Sequence, residues 1–544
     1  MTSLPALLSE RVEAVAGVDP ELRPATKPQF GHFQSNVALR LAKTEGVPPR
    51  EIAQRIVDKL EIDDLCETPD IAGPGFINFR LKTSVLAAAV NKLAADENLG
   101  ISQVAEPERV VIDYSSPNVA KQMHVGHLRS TIIGDCFNRV LSATGEDVIA
   151  QNHIGDWGRQ FGMLIEQIID EDLDLGSLDL AGAEELYKRA NESLNSSEEF
   201  ADRARARVVK LQGGDEDTRK IWERLIEISK AGFNNTYRRL NVLLDDGDLA
   251  GESTYNEFLN QVAEDLQSRG IAVEDQGALV VFVDGFDAPA IIRNSAGGYG
   301  YDVTDIAAIR YRVNELKADR IIYVTDARQA NHFALAFAVA RKAGYLPDSV
   351  KAEHVGFGMV LGPDGKPFKT REGTAVHLDD LLDDAEKNAT PEVALAAIKY
   401  ADLSSGLQKD YVFDVERMTA TSGDTGPYLQ YAHARCANIL REAKARGFQP
   451  SEVGQLAEPA EQDLALQLSG FGNAVHVVAA DLTPHKLCGY LYELADKFSK
   501  FYEKCPVLKS ADEVRASRLG LVAATKQVLS AGLELLGIVA PERM

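Results

Sequence analysis

Asp113-Tyr-Ser-Ser-Pro-Asn118-Val-Ala-Lys121-Gln-Met-His124-Val-Gly126-His127-Leu-Arg-Ser-Thr-Ile-Ile-Gly134-Asp135 follows directly on the apolar run Val110, Val111 and Ile112. That run, bounded by a Ser-Ser-Pro-Asn turn, suits a buried parallel strand. Beyond the polar loop Leu128, Ile132, Ile133, Phe137 and Leu141 recur at helical spacing, so strand, loop and helix are predicted in immediate succession. His124 and His127 then sit at or just before the first helical turn, three residues apart and facing the same way.

Open α/β sheets place ligands at the carboxyl ends of their parallel strands. A helix start there offers unpaired N–H groups and a positive dipole end, and Gly126 removes a side chain that would hold a nucleotide off the backbone. Two imidazoles in this position can donate hydrogen bonds to phosphate oxygens as charge builds on an α-phosphoryl group under attack, chemistry that is mostly positioning and electrostatics. A bare His-x-Gly-His also fits a zinc pair or two capping histidines.

The surrounding loop carries a resemblance. The whole string resembles the first signature of class I aminoacyl-tRNA synthetases, and Ser115-Ser-Pro-Asn118-Val-Ala-Lys121 with Leu128-Arg-Ser-Thr-Ile-Ile-Gly134-Asp135 is similar to its arginyl-tRNA synthetase form, unbroken over about twenty residues.

Composition is compatible. At 544 residues, 45% hydrophobic and 26% charged, the chain is long enough for several domains with sizeable cores, and disorder is not indicated. Its N-terminus lacks a basic start before an apolar core, and no run approaches the roughly 20 apolar residues of a membrane span. Five scattered cysteines without C-x-x-C pairing suit reduced cytosolic thiols. The net charge of -24 argues against a nucleic-acid partner unless basic residues cluster. Arg435, Arg441, Lys444 and Arg446 against the single acid Glu442 form one such cluster, either a phosphate-contact face or a solvated helix face.

Along the chain, residues 1 to about 105 read as a small α/β unit with a helix from Pro48 to Leu60. Gly31-His-Phe-Gln-Ser-Asn36 and Gly73-Pro-Gly-Phe-Ile-Asn-Phe look like the family's N-terminal additional domain, which touches the tRNA elbow, and structural turn glycines explain them as well. From 106 to 385, strand candidates at 109–114, 146–151, 278–283, 320–325 and 353–360 alternate with helices in the rhythm of a doubly wound, Rossmann-like sheet. A helical insertion is predicted at about 165–245, with Trp222, Leu225, Ile228 and Phe233 on one buried face. Residues 386–544 show no convincing strand and a sustained helical period, including Leu487, Leu491, Leu494, Phe498 and Phe501, which predicts an all-α bundle. Thr483 and Pro484 would cap and start one of its helices.

A second candidate segment is Gly356-Phe-Gly358-Met359-Val360-Leu-Gly362-Pro-Asp-Gly365-Lys366-Pro-Phe-Lys369-Thr370-Arg371-Glu-Gly373, a strand leading into a basic, glycine-flanked loop able to close over a pyrophosphate, or simply a surface hairpin. It resembles the second class I signature but departs from its common form, Lys-Met-Ser-Lys-Ser, because Thr370 stands at the second lysine. Many arginyl-tRNA synthetases share this departure, and a lysine just upstream of the first signature compensates. The matching residue is Lys121, with Lys366, Lys369 and Arg371 as helpers.

The resemblance implies further roles. His124 and His127 would stabilise the phosphoryl transition state. Gly126, His332, Gly358, Met359 and Val360 would border ATP. Asn118 in the first loop and Gln329 in Asp326-Ala-Arg-Gln-Ala-Asn-His332 would hold the amino-acid backbone, Asn118 serving equally as an Asx-turn residue, and Ser115 would contact arginine. Glu252 in Leu249-Ala-Gly-Glu-Ser253 and Asp305 in Tyr301-Asp-Val-Thr-Asp305 match positions that grip a guanidinium, with Tyr301 lining the pocket; among 82 acidic residues neither stands out on its own. Tyr428, Tyr431 and Arg435, with Tyr502 in Phe498-Ser-Lys-Phe-Tyr502 and Met544, resemble anticodon contacts, where rings stack on splayed bases. The expected activity is that of an arginine–tRNA ligase using tRNA(Arg), L-arginine and ATP with Mg²⁺, with no tightly bound cofactor, protein metal site, DNA or membrane partner, as a cytoplasmic monomer. A nucleotidyltransferase of the same His-x-Gly-His superfamily acting without tRNA, or a silent tRNA-binding paralogue, would keep parts of this pattern.

Overall fold

A computed structural model describes residues 3–25, 27–368, 376–387 and 389–544. At its centre four parallel strands run in the order Lys351–Phe357, Arg320–Asp326, Arg109–Asp113 and Asp147–Gln151. Val110, Val111 and Ile112 are fully buried, as a strand covered on both faces requires. The helix Val125–Ala143 follows the central strand and buries Leu128, Ile132, Ile133, Phe137 and Val140. Gly134 is what lets it pack so closely, since a Cβ there would lie 2.2 Å from Tyr114 Cγ.

Two strand expectations need correction. Ala278–Val281 belongs to a separate antiparallel sheet with Val273–Asp275 and Ala290–Arg293, not to the parallel sheet. Its apolar run is buried against the same core as the helix Tyr301–Asn314, which is why it reads like a central strand. The stretch 353–360 divides: Lys351–Phe357 closes the parallel sheet, while Val360–Leu361 pairs in parallel with Tyr411–Val412, a short strand inside the region expected to be wholly helical.

The insertion is helical, with Arg159–Asp170, Leu180–Ser196, Glu198–Gln212 and Glu216–Arg239. Leu225, Ile228 and Phe233 are buried as the spacing predicts, and Trp222 is partly so. The C-terminal helices Gly426–Ala445, Pro459–Leu468, Phe471–Asp481, Pro484–Lys504 and Asp512–Leu535 form a bundle. All five predicted core positions of Pro484–Lys504 are fully buried, each worth about 1.5–3 kcal/mol of transfer free energy. Thr483 holds the N-cap position of this helix, but its buried hydroxyl makes no capping bond, so only Pro484 acts as expected.

Near the N-terminus an antiparallel sheet of Arg23–Pro24, Phe33–Ser35, Phe76–Phe79 and Asp70–Ala72 carries the helices Leu4–Ala16, Val37–Glu45 and Pro49–Val57. Gly31 is a packing glycine: φ is +80° and a Cβ would meet the Phe79 carbonyl at 2.4 Å. The helix Thr83–Ala95 docks on the bundle, where Asn91 exchanges hydrogen bonds with the Val453 backbone. Among the described residues no helix is long and apolar enough to cross a membrane, and all five cysteines are buried and free.

Candidate active site

His124 is the N-cap of the helix Val125–Ala143. Its Nδ1 accepts the Gly126 N–H at 3.0 Å, and Nδ1 of His127 accepts the His124 N–H at 3.1 Å. With both Nδ1 atoms accepting, each proton sits on Nε2, so the pair presents two N–H donors. The rings lie 4.0 Å apart. Burial pushes His127 down to about 3, with repulsion from His124 and Lys121 adding to it, and burial with Lys121 lowers His124 too, so both stay neutral at pH 7. Gly126 serves the ring as well as the ligand: a Cβ would come 2.7 Å from His124 Cε1.

The loop before the helix is held in an unusual shape, with Ser115, Ser116 and Ala120 at φ +76°, +51° and +59°. Such conformations cost energy and persist where neighbours enforce them. The Ser115 hydroxyl is 2.8 Å from Tyr237 Oη and accepts from Thr131, and Tyr237 also takes Asn152 Nδ2. Ser115 is thus buried, its hydroxyl engaged by Tyr237 from the insertion and Thr131 from the helix, whereas the resemblance implied a contact with arginine. Asn118 is exposed and faces Gly155, where a Cβ would lie 2.5 Å from Asn118 Oδ1. Lys121 Nζ sits 3.8 Å over the ring of Tyr187 from the insertion, and its charge is felt at both histidines.

Behind the histidines lies the second segment. Arg129, 1% exposed, donates to the carbonyls of Gly358 and Lys409 and pairs with buried Asp402. The Met359 N–H is held by Asp410 at 2.6 Å. The chain then turns at Gly362, whose N–H reaches the Lys366 carbonyl. Lys369 and Arg371 lie outside the described residues. On the far side the helix start is clamped by backbone bonds from Val125 to Val376 and from Leu378 to Met123.

The carboxylates converge on a neighbouring pocket. Asn152, Ile154, Asp248, Ala250 and Glu252 are laced by backbone hydrogen bonds, which set Glu252 at the start of the helix Glu252–Ser268. Burial, reinforced by Asp156 and Asp305, raises Glu252 to about 7. Asp156 is buried and accepts two hydrogen bonds from Ser253. Asp305, on the helix Tyr301–Asn314, receives His332 Nε2 at 2.6 Å, and Asp302 faces the other ring nitrogen at 3.3 Å. His332, expected near the nucleotide, therefore sits on the acidic pocket, its ring 5.0 Å from that of Tyr301. Tyr301 and Gln329 are exposed at the rim.

A neutral pair of imidazole donors at a strand end, a cationic loop and a cluster of acids beside it form a site for an anionic phosphate next to a cationic side chain. Three family models match the chain in the same order: the arginyl tRNA synthetase N-terminal domain over residues 3–81, the class I (R) tRNA synthetase catalytic domain over 89–394, and the DALR anticodon binding domain over 429–544. An arginine–tRNA ligase of Cutibacterium acnes is 65% identical, with all of both chains covered. The chain belongs to the arginyl-tRNA synthetase family.

Another arginine–tRNA ligase, from Frankia casuarinae, is 48% identical over 99% of this chain and 97% of its own. The fold agrees with the arginyl-tRNA synthetases of Plasmodium falciparum, at 28% identity and TM-score 0.81 with full coverage of both chains, and Thermus thermophilus, at 27% identity and 0.79 with 99% and 100% covered. Like its family, this synthetase is an enzyme, an arginine–tRNA ligase of class I with an anticodon-binding domain, acting in protein synthesis.

In that domain Arg435 stacks between two rings, its guanidinium 4.6 Å from Tyr431 and 5.1 Å from Tyr502. These residues, Arg441 and Met544 line an open cavity of about 440 Å³. Tyr428 does not join them. Its hydroxyl reaches Ser499 and its ring packs on Tyr492, because its face of the helix meets the helix Pro484–Lys504. In the basic cluster, Arg446 pairs with Glu442 and Arg441 bonds Asn438.

Several site residues escaped the sequence. Asp302 lies one helical turn before Asp305, a legible spacing, and Asp156 falls in a polar, glycine-rich stretch after a strand. Arg129 is inside the first signature, whereas nothing local marks Tyr187, brought in from the insertion. Among the described residues no group of three or more His, Cys, Asp or Glu side chains is arranged to hold a metal.

Proposed function

We propose that this ligase works through the residues gathered at the two signatures and the acidic pocket. The arginine carboxylate attacks the α-phosphorus of ATP; the new O–P bond forms as the bond to the β-phosphate oxygen breaks, giving arginyl-adenylate and pyrophosphate. The 2'-hydroxyl of the terminal adenosine of tRNA(Arg) then displaces AMP. His124 and His127 donate Nε2–H bonds to the phosphoryl oxygens, and their neutrality suits donors that must not form a permanent ion pair with ATP. Lys121 neutralises the departing pyrophosphate together with Lys366, Lys369 and Arg371.

Glu252 and Asp305 take the guanidinium, a planar fork suited to carboxylate oxygens. Asn118 and Gln329 hold the amino-acid backbone and Tyr301 closes the rim. Gly126, Gly358, Met359 and Val360 border ATP, whose Mg²⁺ is held mainly by the phosphates. Tyr431, Arg435, Tyr502 and Met544 receive anticodon bases, supported by the ring–guanidinium–ring stack. All these groups come from one chain, so a monomer suffices, and the five unpaired buried thiols suit the cytoplasm.

The observation that carries the reading is the tautomer lock on both imidazoles beside a pocket of three acids. It is tested by arginine-dependent exchange of pyrophosphate into ATP, with and without tRNA(Arg), and with lysine and citrulline as controls. Exchange with arginine alone among the three is expected, and dependence on tRNA would tie the bundle to activation. No exchange under any condition would overturn the assignment of these roles.

A further inference from the structure

His332 has carboxylate oxygens on both ring nitrogens, Asp305 Oδ2 at 2.6 Å on Nε2 and Asp302 Oδ1 at 3.3 Å on Nδ1. Ionised carboxylates only accept, so both nitrogens carry protons and the ring is a cation. This cation stands on the carboxylate assigned to the arginine side chain. We propose that His332 is a specificity-determining residue: it occupies Asp305 in the empty pocket, and the guanidinium of arginine displaces it as neutral imidazole, expelling one proton.

The inference rests on the reading of Asp305 and Glu252 as the guanidinium site. Asp302 does not leave with the substrate, because its other oxygen accepts the Ile291 N–H at 2.9 Å. Burial by itself lowers His332, and only the bonds to Asp302 and Asp305 bring it up to about 9. With Asp305 taken and a guanidinium set nearby, burial and the added positive charge oppose the proton against a single remaining carboxylate, Asp302 at the longer distance of 3.3 Å, and the proton leaves.

The other groups facing the ring act in the same direction or are neutral. On its own side Tyr301 meets it edge-on. His354, from the strand Lys351–Phe357, is lowered by burial, with the His332 charge also disfavouring its protonation. Phe333 meets the ring edge-on at 5.1 Å and carries no charge, and Asp326, whose charge acts on His354, is taken by Arg328. Glu252 acts through Asp305 from the helix Glu252–Ser268.

The arrangement filters ligands. Citrulline has the shape of arginine without its charge, so replacing His332 with it would strand the Asp305 carboxylate without a cation. Lysine brings a point charge that reaches Asp305 but not the forked pairing with Glu252. Only a guanidinium replaces the cation and adds a second contact.

The test is titration calorimetry of arginine into the full-length protein at pH 8, run in phosphate and in Tris, whose different ionisation enthalpies report proton release. At pH 8 Glu252 is already mostly ionised while His332 is mostly protonated, so close to one proton per arginine is expected, and Kd for arginine should fall about tenfold per pH unit between 7 and 9. His332→Gln should bind arginine with almost no proton release at pH 8 and discriminate less against citrulline. Arginine binding by the unsubstituted protein without proton release, or undiminished release in H332Q, would overturn the inference and leave the pocket reading standing. Failure to bind arginine at all would overturn both.

Discussion

The His124 N–H donates to Nδ1 of His127 at 3.1 Å, beside the backbone bond from the His127 N–H to the His124 carbonyl at 2.8 Å, and so the second ring's tautomer is fixed by the backbone of the first. The two donors are therefore preorganised before any nucleotide arrives. Replacing either by Ala should lower the rate of adenylate formation about 10²–10³-fold with little effect on Kd for arginine, the scale of a lost transition-state donor. A lowered pKa keeps the neutral form until the pH falls through it, so neither histidine should produce a pH limb above 7. Single-turnover adenylation measured across pH checks both statements, and an arginine Kd that moved in step with the rate would contradict the assignment.

Glu252 behaves oppositely. Its carboxyl is raised to about 7, chiefly by burial and further by Asp156 and Asp305, so it is mostly neutral below that pH and anionic above it. A guanidinium needs the anion. Arginine binding should thus weaken more steeply per pH unit below 7 than above it, and Glu252→Gln should abolish that extra steepness. At pH 8 the same substitution should cost roughly 2 kcal/mol, about thirtyfold in Kd, for the lost charge-assisted bond. Calorimetric titrations across pH give both quantities.

Gly134→Ala introduces a Cβ 2.2 Å from Tyr114 Cγ, between the catalytic helix and the residue that follows the strand Arg109–Asp113. Neither backbone nor buried ring has room to retreat, so roughly 1–3 kcal/mol of destabilisation is expected. The first unfolding transition in urea should move to lower concentration; an unchanged midpoint would mean that the helix sits farther from Tyr114.

Tyr502→Ala removes one ring of the stack around Arg435. tRNA(Arg) binding should weaken by about 1–3 kcal/mol, the worth of one stacked base, at fixed salt. Tyr428→Phe should leave it unchanged, because that hydroxyl faces Ser499 rather than the cavity. Equal losses in the two variants would place the anticodon elsewhere.

The order strand, loop, helix around His124 and His127 follows from the chain alone, because apolar periodicity and a glycine-marked helix start are local properties. The helical bundle is equally local, as the fully buried positions of Pro484–Lys504 show. Sheet membership is not: Val280 and Val281 are as apolar as Val110 and Val111, and only pairing to Ala290–Arg293 assigns them to an antiparallel sheet. The resemblance pointed to Asp305 and His332 separately, yet their direct bond arises from two helices meeting, 27 residues apart in sequence. Likewise the hydroxyls of Ser115 and Tyr428 meet neighbours, Tyr237 and Ser499, that no local pattern connects to them. Sequence fixes what depends on near neighbours along the chain, whereas burial, tautomer, charge state and partner depend on what folding brings across it.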